Sequence, residues 1–212
     1  MNTWLQLAPA LPAPWLVQAW LFVGWALVLS AVLLRLTQHT VSAAVIGLLL
    51  CWPWQYAPVG FVALAFQSPS VVLVLWAVLT WWRRFQPHEV ASKMPTSWAW
   101  ALVLLGWGLC LDTLNLWPQG WSIQLFAFGF EPASLVLVLV VGLVWVALAR
   151  PSNALIWICI LVVAVYVALR LPTGNIWDVF LDPFVWLAFQ FKLISRARFF
   201  IQAGLFLGVI KK

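Results

Sequence analysis

Apolar residues run along this chain in long blocks, separated by short polar stretches that carry nearly all of its charge. Blocks without strand-like alternation predict helices that are apolar on all sides. A first helix is predicted over 15–34, stopped by Arg35. Three helical hairpins follow, at about 41–82, 98–149 and 154–194, and an apolar tail covers 199–210. Crossing a bilayer takes a helix of about 20 residues. The expected fold class is therefore all-α: a polytopic helical membrane protein with about seven transmembrane helices, one N-terminal helix plus three tandem hairpins. Residues 1–212 then form a single transmembrane domain. Twelve residues are too short to cross, rising about 18 Å. Arg196 and Arg198 precede the tail and Lys211 and Lys212 follow it, so it is expected to lie as an interfacial helix at the cytoplasmic surface.

Composition sharpens this picture. The mean hydropathy of +1.04 and a charged fraction of 8% exclude an ordinary soluble domain, which carries about 25% charged residues. A transmembrane barrel is excluded by the missing period of two. The net charge of +6 does not point to nucleic acid, because the cations sit at the ends of apolar blocks. They point to topology instead. With the N-terminus outside, the cytoplasmic set is Arg35, Arg83, Arg84, Lys93, Arg150, Lys192, Arg196, Arg198, Lys211 and Lys212, leaving Arg170 alone outside. The expected location is a bacterial-type inner membrane, multi-pass, N-terminus out and C-terminus in. Residues 1–14 carry no Lys or Arg, so the first block is expected to stay as a helix rather than serve as a cleaved signal. Cys51, Cys110 and Cys159 all lie inside apolar blocks with no CxxC spacing, which suits packing and not a disulfide framework or zinc.

The three hairpins share a local pattern. Each re-enters at a proline preceded by a polar residue: Gln67-Ser68-Pro69, Glu131-Pro132 and Asp182-Pro183. An apolar, aromatic-bearing stretch comes before each, at 59–66, 123–130 and 176–181. Proline suits the first turn of a helix, where its missing N–H has no partner to lose. Only thirteen residues separate Pro69 from Arg83, so the third helix is expected to begin before its proline and to kink there. The spacing of the pattern is uneven, 132 − 69 = 63 and 183 − 132 = 51 residues.

The candidate chemistry is an outer-face polar cluster of Asp112, Glu131, Arg170, Asp178 and Asp182. Asp178 and Asp182 are four residues apart, so one helix through both would put the carboxylates on a single face. Such a pair could hold a cation or share a proton, or Arg170 could neutralise it. His39 and His88 fall in expected cytoplasmic loops, where no haem is expected. The eighteen tryptophans, many near span ends, read as an interfacial belt. There is no zinc motif, GxSxG elbow or P-loop, and no catalytic residue, cofactor or metal is assigned.

These features favour a non-catalytic structural or assembly subunit of a membrane complex, with the lipid bilayer and a membrane-protein partner as its surroundings and no nucleic acid. One alternative is a small-solute transporter or channel between the hairpins, although Gln18, Ser30, Ser42 and Thr80 are thin material for a polar pathway. A second alternative is an enzyme on lipid-linked substrates at the outer face, which needs its carboxylates to converge in one cleft.

Overall fold

Pro14 opens the first helix, α1 (Pro14–Thr37), at the position where its missing N–H costs nothing. Gln38 closes it, taking a left-handed conformation (φ 61°) and donating its N–H to Leu34 O. Arg35 in the last turn suits the negative end of the helix dipole. The computed structural model describes residues 11–50, 58–85, 96–117, 124–149 and 153–209. Among them the protein is all-helical. After α1 come α2 (Thr40–Leu50), α3 (Pro58–Phe66), α4 (Val71–Phe85), α5 (Thr96–Thr113), α6 (Leu125–Phe128), α7 (Pro132–Ala149), α8 (Asn153–Leu169), α9 (Ile176–Phe180) and α10 (Pro183–Val209).

Three of the longer helices follow a short one for a local reason. Three times a short helix stops, the chain breaks at or just before a proline, and a longer helix starts: α3 to α4, α6 to α7, and α9 to α10. The first of these is a full break where a kink was expected. Gln67 adopts φ 58° and its N–H closes α3 on Ala63 O. Pro69 follows, and Ser70 then caps α4 by accepting the Leu73 N–H at its Oγ (3.1 Å). Such breaks keep most segments short. Among the described residues one helix, α1, is both long enough and apolar enough to cross a membrane unaided.

Two apolar clusters share α4. One gathers Trp25, Val28 and Ala31 of α1 with Val59, Leu73, Val74, Ala77 and Val185. The other gathers Val71, Leu102, Val162 and Tyr166 with Ile176, Trp177, Val179 and Phe180 around α9. α1 packs against both α2 and α4. It runs parallel to α4, since Trp20 bonds Pro69 at one end and Arg84 reaches Gln38 at the other. α10 packs on α5, where Gly106 lets the Trp186 ring lie directly against the helix backbone.

Two further expectations change. The last hairpin is interrupted: α9 ends at Phe180, Leu181 is extended (φ −135°, ψ 127°), and α10 starts at Pro183. Nor does the tail form a separate helix, because α10 continues without a break to Val209. Several residues named from the sequence lie outside the described residues: Cys51, His88, Lys93, Arg150, Lys211 and Lys212.

Candidate functional site

The breaks leave backbone N–H and C=O groups without helical partners, and such groups are costly when buried. Side chains from distant elements meet them. At the α3–α4 break, Trp20 Nε1 donates to Pro69 O (2.9 Å) and Trp25 Nε1 to Gln67 O (2.6 Å). Asp182 closes the same break from the far end of the chain. Its Oδ2 accepts the Ser70 N–H (3.0 Å) while its Oδ1 accepts the Val185 N–H (2.8 Å) in the first turn of α10. One carboxylate thus caps α10 and ties it to the start of α4.

The α6–α7 break is met by the segment before α9. Asn175 is completely buried. Its Oδ1 accepts the Trp177 N–H (3.0 Å), capping α9, and its Nδ2 donates to Phe126 O (3.0 Å). Trp177 Nε1 donates to Leu125 O (2.7 Å), and the Ile176 N–H to Gly129 O (3.0 Å). This close docking needs a glycine at 129, because a Cβ there would run into the Asn175 amide and the Trp177 indole. Asp112, from the end of α5, accepts the Phe126 N–H (2.7 Å) at the start of α6. Ser134 returns its hydroxyl to Glu131 O (2.6 Å).

All five residues singled out from sequence therefore lie at one end of the helix bundle, but they do not form one cluster. Asp112 and Asp182 each hold backbone N–H groups at separate breaks. Asp178 accepts the Thr173 hydroxyl (2.5 Å). Glu131 is exposed. Arg170 donates to Tyr166 OH (3.1 Å), with its guanidinium over the same ring (5.1 Å), and makes no ion pair with Asp178 or Asp182. The expected carboxylate pair is broken by the extended Leu181, which takes Asp182 off the face that carries Asp178. Among the described residues no group of three or more His, Cys, Asp or Glu could hold a metal ion. No protein family, curated protein or solved structure matches this chain on comparison.

The residues missed from sequence are the neutral ones. Asn175, Ser70 and Ser134 are all buried and all close helix breaks. Asn175 had a signal, an Asn two positions before the tryptophan of an apolar run, which is an N-cap arrangement. Trp177 is one of the tryptophans that read as an interfacial belt, yet it is buried and serves a backbone carbonyl. A belt explains tryptophan by its preference for the interface; here the indole N–H is used as a donor inside the protein.

Asp178 provides a pH test. Burial raises its pKa above the usual carboxylate range, and the Thr173 hydroxyl pulls it partly back down. A carboxyl whose folded pKa is raised favours folding below its unfolded pKa of about 3.9, and that advantage is lost as pH rises through the folded value. Asp178→Asn keeps an oxygen for Thr173 and abolishes the titration. The variant is expected to match wild type at low pH and to melt higher than wild type at neutral pH. Lower melting at neutral pH would show that the ionised form is the one the fold prefers.

Proposed function

We propose that this chain is a polytopic helical membrane protein, with its N-terminus outside and its C-terminus in the cytoplasm of a bacterial-type inner membrane. We propose further that it serves as a non-catalytic structural or assembly subunit beside a partner membrane protein. The observation that carries the reading is the surface of α7. Val136, Leu137, Val140, Val141, Leu143, Val144 and Leu148 are 45–80% exposed. At about 100° per residue they cover roughly half the helix circumference. No charged residue occurs between Pro132 and Ala149. A surface helix in water turns a polar face outward, and a continuous apolar surface of this extent belongs against lipid or another protein. α2 exposes Val41, Val45, Leu48 and Leu49 in the same way, and α8 exposes Trp157, Ile160 and Leu161.

Charge placement supports the orientation. The four described carboxylates gather at the end where α4, α7 and α10 start, and Arg35, Arg83 and Arg84 at the end where α1 and α4 finish. Cations concentrate on the cytoplasmic side of such proteins. α7 rises about 27 Å over its 18 residues, close to the roughly 30 Å hydrocarbon core. α4, at 15 residues, needs α3 to complete its crossing. The separate hydrogen-bond sets of Asp112, Asp178 and Asp182 favour helix-end closure over an enzyme, which would need them in one cleft.

Purification from native membranes in mild detergent tests the subunit reading. A membrane protein is expected to co-elute in fixed proportion. A chain that elutes alone, and whose reconstituted vesicles become permeable to a small solute, would favour the transporter instead. Reporter fusion at residue 90 is expected to give cytoplasmic activity, and outer-face activity there would reverse the orientation.

A further inference from the structure

At the end of the bundle opposite the carboxylates, the C-terminal ends of the parallel helices α1 and α4 come together. They enclose an open cavity of about 220 Å³ lined by Leu34, Arg35, Gln38, Thr80, Arg83 and Arg84. Three arginines from two helices, all exposed, contribute to its lining. Two of them are oriented by the protein: Arg35 lies over the Trp76 ring (4.7 Å), and Arg84 Nη2 donates to Gln38 O (3.3 Å). Arg83 makes no hydrogen bond or ion pair among the described residues. Thr80 gives its hydroxyl proton to Trp76 O (2.9 Å), so among the lining side chains the arginines and the Gln38 amide are the remaining donors.

Arginine at a helix C-terminus is ordinarily explained by the dipole. Here that explanation falls short in magnitude. Each helix end carries about −0.5 charge, so two ends offset about one of the three cations. Among the described residues roughly two positive charges are left over, since the four described carboxylates are at the other end. A guanidinium presents its N–H groups as a planar fork matched to two oxygens of one phosphate. Within three residues of the lining arginines, Val32 and Leu36 on α1 and Trp82 and Phe85 on α4 are exposed.

We propose that this cavity is a phosphate-binding site, and that its occupant is the headgroup of an anionic phospholipid whose acyl chains lie along these exposed apolar residues. The phosphate site stands on the arginines, whereas lipid as its source rests on the membrane reading above. Basic recesses between helices on the cytoplasmic side are suited to such headgroups.

The test uses the full chain, delipidated in mild detergent, with three additions: phosphatidylglycerol, phosphatidylcholine and inorganic phosphate. Phosphatidylglycerol is expected to raise the melting temperature saturably, with little effect from the other two. Arg35→Gln and Arg83→Gln are each expected to weaken that response about five-fold, the equivalent of about 1 kcal/mol per cation near an anionic surface. Arg35→Lys with Arg83→Lys, which keep the charge, should retain more of it than the glutamine pair, separating loss of binding from loss of folding. Arg170→Gln at the opposite end should leave it unchanged. Equal responses to the two lipids, or an undiminished response in the glutamine pair, would overturn the site. Saturation by inorganic phosphate with equal affinity would keep a phosphate site and remove lipid as its source. Partition into pure phosphatidylcholine vesicles separates the two levels: a chain that fails to insert sinks the membrane reading, while one that inserts there but shows no saturable response to phosphatidylglycerol sinks only the headgroup site.

Discussion

Replacing Asn175 by alanine is expected to lower the stability of the protein by about 2–4 kcal/mol. Two losses add. The Trp177 N–H at the start of α9 loses its cap, worth about 1 kcal/mol, and Phe126 O loses a donor in a buried setting, worth about 1–3 kcal/mol. Nothing can replace them from solvent, since Asn175 is fully buried. Asn175→Ser can keep the capping oxygen but cannot reach Phe126, so it should fall between alanine and wild type. Thermal denaturation measures the series. An alanine variant within about 0.5 kcal/mol of wild type would mean that the two segments are held together by packing alone, since that is the spread of ordinary surface substitutions.

The second large effect is expected at Asp182, where alanine should cost about 2–4 kcal/mol. This carboxylate serves two N–H groups at once, Ser70 through Oδ2 and Val185 through Oδ1. Ser70 is buried, so its orphaned N–H has no water to turn to. Asp182→Asn keeps one acceptor oxygen and must give up one of the two bonds, predicting roughly half the loss. Glu131→Gln, at an exposed carboxylate, should be near neutral. Arg170→Ala separates this account from the ion pair that the sequence suggested. An ion pair would make Arg170→Ala and Asp182→Ala equally damaging, whereas the structure gives Arg170 a different partner, Tyr166, and predicts the smaller loss. Equal losses at both positions would restore the ion pair.

The helical nature of the chain and the places where helices break are local properties, and both were legible in the residues. Apolar blocks without alternation mean helix wherever they are long enough. Pro69, Pro132 and Pro183 sit within two residues of the starts of α4, α7 and α10, because a missing N–H is harmless only there. Even the collection of Asp112, Glu131, Asp178 and Asp182 at one end follows from their positions between blocks.

What those side chains do was decided only by the tertiary structure. Asp178 and Asp182 look paired on a helix of constant period, and a single extended residue, Leu181, breaks that register. A break in a helix creates unmet backbone groups, and the sequence does not say which distant side chain will meet them. Asp182 meets Ser70 across 112 residues, and Asn175 meets Phe126 across 49. The physical reason is one of range: hydrophobic period and proline position act over a few residues, while the partner of a buried N–H or C=O is whatever the packed fold brings within about 3 Å.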